Sequence, residues 1–130
     1  MIEPRSEIQH AADGYPIHVA VWEATPPLRA RVVIVHGMQS HGGWYQNLGR
    51  VLSEAGFEVH FPDRRGSGAN QKDRGDTPSA RRLIDDIAER LRDLQNREPR
   101  VPNILGAISW GGKTALVTAA DHPDLVDALA

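Results

Sequence analysis

The segment Ala107-Ile108-Ser109-Trp110-Gly111-Gly112 places a serine between two small residues, each two positions away. A serine serves as a nucleophile when a sharp strand-to-helix turn pushes its Oγ above a sheet. Small neighbours let strand and helix close around that turn. Ala107 and Gly111 would be those neighbours, and the Trp110 N–H, opening the helix, would face a developing oxyanion. The same pattern also fits a serine that only caps a helix. A second candidate is His36-Gly37-Met38, directly after the run Val32-Val33-Ile34-Val35. Glycine permits a turn at the strand end, which would bring the Met38 N–H beside that of Trp110. Two converging donors make an oxyanion hole, each worth about 3 kcal/mol in a transition state. The His36 side chain is expected to pack or hydrogen-bond locally rather than act as a base. In the third segment, Asp63-Arg64-Arg65-Gly66-Ser67-Gly68, the glycines permit positive φ and Asp63 or Arg65 can satisfy loop backbone groups. Its expected role is structural.

These turns need a scaffold that brings them to one edge. Glu7 to His10 and Ile17 to Trp22 flank Asp13-Gly14-Tyr15-Pro16, a pattern that predicts a hairpin. Val32 to Val35 is an apolar β-branched run typical of a strand buried on both faces. Trp44, Leu48, Val51, Leu52 and Ala55 recur at helical offsets, which predicts one apolar face ended by Gly56. Phe57 to Phe61 alternates as a strand, and Arg64 to Asp76 reads as a surface loop. Thr77-Pro78 suggests an N-cap and first turn. Leu83, Ile84, Ile87, Leu91 and Leu94 form a second helical stripe, with Asp86 and Arg90 expected at i,i+4 on its solvent side. Asn103 to Ile108 reads as another buried strand, Gly111 to Ala120 as a helix, and Asp124 to Ala130 as the entry to one more strand. This alternation predicts an α/β fold: a mostly parallel sheet with an antiparallel N-terminal hairpin and helices on both faces.

The composition agrees with one ordinary globular unit. The 130 residues are 40% hydrophobic and 25% charged, with a net charge of −2 and no basic block, which argues against nucleic acid as a partner. Without cysteine there is no thiol nucleophile, disulfide or cysteine-based metal site. No apolar run approaches the roughly 20 residues of a membrane span. The start has no apolar signal-peptide core, so the expected location is cytoplasmic. No metal or organic cofactor is implied.

Taken in order, Val32-Val33-Ile34-Val35-His36-Gly37, Asp63-Arg64-Arg65-Gly66-Ser67-Gly68 and Gly106-Ala107-Ile108-Ser109-Trp110-Gly111-Gly112 resemble the α/β-hydrolases. The nearest subgroup is the lysophospholipase and monoacylglycerol lipase-like hydrolases of serine aminopeptidase S33 type. The resemblance runs from Ile8 to near Asp127. It implies Ser109 as nucleophile, an oxyanion hole from Met38 and Trp110, and hydrolysis of a small acyl ester, or less often an amide, through an acyl-enzyme. Ala107 replaces the family's usual first glycine and is still small. In this fold the triad acid and histidine follow the nucleophile well downstream. Asp121, His122, Asp124 and Asp127 would be carried about 15 Å away by a helix rising ~1.5 Å per residue. The resemblance therefore implies that residues 1–130 are the N-terminal part of a longer hydrolase and inactive alone. His41, near the oxyanion loop, is a candidate substrate contact.

Two other readings stay open. Ala107 to Thr114, with Lys113, fits a loose [AG]-x-x-x-x-G-K-[ST] phosphate loop, although Ile108 and Trp110 are bulky for one. Alternatively the chain is a non-catalytic binding module, self-associating through an exposed sheet edge.

Overall fold

The computed structural model describes residues 2–130. Six strands form one sheet: β1 (Arg5–His10), β2 (Pro16–Trp22), β3 (Ala30–Val35), β4 (Phe57–Pro62), β5 (Asn103–Ala107) and β6 (Ala128–Leu129). Their spatial order is β1-β2-β4-β3-β5-β6. The first two form the antiparallel hairpin and β2 runs antiparallel to β4, while β4, β3, β5 and β6 are parallel neighbours. This is the α/β architecture expected, a parallel sheet carrying an antiparallel hairpin.

The helices are α1 (Gln46–Glu54), α2 (Ala80–Arg97) and α3 (Gly111–Asp121). Strand periodicity sorts the core into two layers. Val33, Val35 and Leu105 meet Ile87, Leu91 and Leu94 of α2 and Ala115 of α3. On the opposite face Trp22, Val32, Ile34, Val59 and Phe61 meet α1 through Leu52. β3 is buried along its whole length because both layers cover it. No helix of the described residues is long and apolar enough to cross a membrane.

Three sequence expectations need correction. The α1 stripe packs only in part: Leu52 lies against the sheet, whereas Trp44, Leu48 and Val51 are exposed and Gly49 and Ser53 face inward. The indole of Trp22 decides this: a Cβ on Gly49 would lie 2.5 Å from its ring carbons, so the helix sits on the sheet through its smallest residues. Trp44 belongs to a separate 3-10 turn, Gly42–Tyr45. On α2, Asp86 and Arg90 are buried, not solvent-facing, and they pair with other residues. Asp86 accepts two hydrogen bonds from Arg65, at 2.7 and 2.8 Å, and Arg90 donates to Glu7 at 2.6 Å and to His60 Nδ1 at 2.5 Å. The hairpin, β4 and the Arg64–Asp76 loop bring polar partners to that face of the helix. The cap of α2 is Ser79, whose hydroxyl accepts the Arg82 N–H at 3.1 Å, so Thr77-Pro78 precedes the helix.

Candidate active site

Register brings two strand ends together. β3 and β5 pair in parallel with Val35 opposite Ala107, and the ladder extends one bond further, from Ile108 N–H to the Val35 carbonyl at 3.0 Å. His36-Gly37-Met38 and Ile108-Ser109-Trp110 therefore leave the sheet side by side. A Cβ on Gly37 would lie 3.4 Å from Ser109 Cβ and 3.3 Å from the Ile108 carbonyl oxygen. The two turns therefore lie in van der Waals contact.

Only Ile108, Ser109 and Trp110 separate β5 from α3. So tight a reversal forces Ser109 to φ +54°, in the left-handed region that side chains other than those of Asn and Asp rarely adopt. Such strain costs on the order of 1–3 kcal/mol and persists where surrounding structure imposes it. Gly111 is one source. A Cβ there would meet the backbone oxygens of Val35 and His36 at 2.6 and 2.7 Å, so the start of α3 lies directly against the end of β3. Gly112 has open space around it. Ser109 is exposed at the top of this turn. It shares a cleft with Gly37, Met38, Ser40, Trp44, Tyr45, Trp110 and Lys113. Among the described residues, the N–H groups of Met38 and Trp110 donate to no protein acceptor. A three-residue turn leaves no loop to wrap a phosphate, and Thr114 Oγ1 is spent on the Gly111 carbonyl at 2.9 Å.

His36 is buried and fully engaged. Its Nδ1 lies 2.8 Å from the Gly37 carbonyl oxygen and its Nε2 accepts the Arg64 N–H at 2.9 Å. This assigns the proton to Nδ1. Burial holds the imidazole below its usual pKa, against the pull of the Gly37 carbonyl. His41 caps the 3-10 turn, accepting the Gly43 N–H at 3.1 Å and lying 5.1 Å from the Trp44 ring. It lines a neighbouring polar hollow with His18, Asp63 and Arg74, not the Ser109 cleft. Asp121 ends α3 and pairs with Arg81 at 2.7 Å.

The Asp63 segment is bound up in loop architecture. Asp63 accepts the Gly42 N–H at 2.6 Å and the Ala69 N–H at 2.9 Å. A Cβ on Gly68, at φ +57°, would fall 2.3 Å from Asp63 Oδ2. Arg65 is clamped between Asp86 and Asp13, with Nη1 to Asp13 Oδ2 at 2.8 Å, and lies 4.6 Å over the Tyr15 ring. The Tyr15 hydroxyl in turn accepts the Gly66 N–H at 2.8 Å. The Arg65 hydrogen bond lowers the Asp13 carboxyl to about 2. Sequence reasoning missed Arg64, whose position between Asp63 and Arg65 read as loop charge. It also missed Ser40 and Tyr45 in the cleft wall.

Residues 26–130 match the family model described as "Serine aminopeptidase, S33". Human monoglyceride lipase is 28% identical over 122 residues, covering 92% of this chain and 40% of that protein. A soluble variant of monoglyceride lipase from Saccharomyces cerevisiae superposes with a TM-score of 0.87 at 21% identity, covering 99% of this chain and 43% of that one. A thermostable carboxyl esterase from Bacillus coagulans gives 0.85 at 21% identity, with 99% and 44% covered. The chain thus spans about 40% of the length of the curated monoglyceride lipases it matches. With the family matched over four-fifths of its length and the sheet order and strand-end turns described above, the chain belongs to the serine aminopeptidase S33 family of α/β-hydrolases.

Proposed function

We propose that residues 1–130 carry the nucleophile and oxyanion-binding half of a serine ester hydrolase acting on a small acyl ester, of monoglyceride or lysophospholipid type. The observation that carries this reading is Ser109 at φ +54°, exposed at the apex of a three-residue strand-to-helix turn. Ser109 Oγ attacks the acyl carbonyl. The oxyanion that forms accepts from the Met38 and Trp110 N–H groups, which have no protein acceptor to give up. The alcohol leaves with a proton, and water releases the acyl group from Ser109. Exposed Met38 and Trp44 beside the cleft offer apolar surface to the acyl chain.

We assign the proton acceptor to a residue outside the described ones. His36 is committed to Gly37 and Arg64, His41 to Gly43, and the residues near Asp121 lie beyond the far end of α3. We assign the triad histidine and acid to the part of the hydrolase that the monoglyceride lipases have and this segment does not span. Residues 1–130 alone are then inactive or nearly so, retaining only what oxyanion binding supplies.

The test is hydrolysis of a monoglyceride and of a p-nitrophenyl ester by the intact gene product, by its Ser109→Ala variant and by residues 1–130. Activity in the first alone supports the reading. Activity that survives Ser109→Ala overturns it.

A further inference from the structure

Arg64 has an unusual setting. Its guanidinium is partly buried, and burial lowers its affinity for its proton, yet no carboxylate among the described residues pairs with it. Taking a cation out of water without a counter-charge is costly, so its neighbours are informative. There are two. Arg64 Nη1 donates to the Gly37 carbonyl oxygen at 3.2 Å, and the guanidinium carbon lies 5.0 Å from the centre of the Trp110 ring. One side chain thus bridges the two turns that leave β3 and β5.

The Gly37 carbonyl is gripped twice, since His36 Nδ1 donates to the same oxygen at 2.8 Å. His36 is itself held by the Arg64 backbone N–H at 2.9 Å. Gly37 C=O and Met38 N–H belong to one peptide group, and in a planar trans peptide they point in opposite directions. Fixing the oxygen towards His36 and Arg64 fixes the Met38 N–H to point away from them. On the other turn, the guanidinium over the indole restrains Trp110, the residue whose N–H opens α3.

We propose that Arg64 is a positioning residue for ester hydrolysis: it ties the Gly37 carbonyl to the Trp110 ring and thereby holds the Met38 and Trp110 N–H groups converged on the oxyanion. The proposal rests on Ser109 being the nucleophile. Arg64 does not touch the substrate in this account. It acts through the orientation of two backbone donors, so its removal should weaken transition-state binding and leave ground-state binding largely intact.

The experiment uses the intact gene product with a p-nitrophenyl ester, and a trifluoromethyl ketone as a mimic of the tetrahedral intermediate. Arg64→Met keeps the apolar stem and the backbone N–H and removes every guanidinium donor. It is expected to lower kcat by about 10- to 100-fold, less than outright loss of an oxyanion donor. KM should stay within about twofold, and ketone affinity should fall in proportion to kcat. Arg64→Lys keeps the charge but not the planar fork that stacks and donates together, so it should recover only part of the rate. Wild-type kcat in Arg64→Met overturns the proposal, as does a rise in KM with kcat unchanged. Should Arg64→Met fail to fold, Arg64→Lys decides: full kcat and full ketone affinity mean that Arg64 only supports the loop. Failure of the underlying reading is separable, because only that failure leaves Ser109→Ala active.

Discussion

The contact between the start of α3 and the end of β3 makes a sharp pair of substitutions possible. Gly111 and Gly112 are adjacent, and neither has a positive φ, so alanine is conformationally allowed at both. In a helix alanine gains about 0.5–1 kcal/mol over glycine. At Gly112 nothing lies within 4 Å of the new methyl, so Gly112→Ala should be stabilising by that amount or neutral. At Gly111 the methyl would lie 2.6 Å from the Val35 oxygen and 2.7 Å from the His36 oxygen. Both are backbone atoms that cannot rotate away, so a penalty of about 2–3 kcal/mol, the upper part of the overpacking range, applies. The net for Gly111→Ala is a loss of about 1–2 kcal/mol, leaving the two variants about 2 kcal/mol apart. For a chain of this size that is a Tm difference of about 6–10 °C, measured by circular dichroism. Equal Tm values, or a more stable Gly111→Ala, would refute the claim that the helix abuts the strand end and forces the Ser109 turn.

Further outcomes follow from the same structure. Ser109→Gly relieves the left-handed strain that Ser109→Ala retains, so denaturant unfolding should show the glycine variant more stable by about 1 kcal/mol. The acid limb of stability should have two parts. Burial would raise the Glu7 carboxyl, but hydrogen bonds from Arg90 and Arg5 bring it down to about 2, and Arg65 holds Asp13 at about 2. Folded pKa values below the unfolded ones mean that this stability is complete above about pH 4.5 and lost as pH falls towards 2. Burial likewise lowers His36 and His60, so a shallower loss should begin below about pH 6.5. A pH titration of the unfolding midpoint checks both, and His60→Gln should diminish the shallower part.

The sheet was legible because its signals are local. β3 announces itself as an unbroken β-branched run, and the hairpin by Asp13-Gly14 between two extended segments. The turn at Ser109 was legible because close packing demands small residues at fixed offsets, and Ala107 and Gly111 stand there. What escaped sequence reading was set by long-range partners. Nothing in α1 says that Trp22 will occupy the space above Gly49, so the apolar stripe located Leu52 against the sheet but not the buried Gly49 and Ser53. Asp86 and Arg90 have solvent-side spacing, and only the arrival of Arg65, Glu7 and His60 makes their burial tolerable. Arg64 is invisible for the same reason, since its meaning lies in Gly37 and Trp110, 27 and 46 positions away.

The central claim is that Ser109 is the nucleophile, and covalent capture tests it most directly. The intact gene product would be treated with a fluorophosphonate, digested and mapped by mass spectrometry. The account predicts a single stoichiometric adduct on Ser109, lost in Ser109→Ala and slowed in Arg64→Met. An enzyme that hydrolyses its ester while the adduct forms on another residue would contradict it.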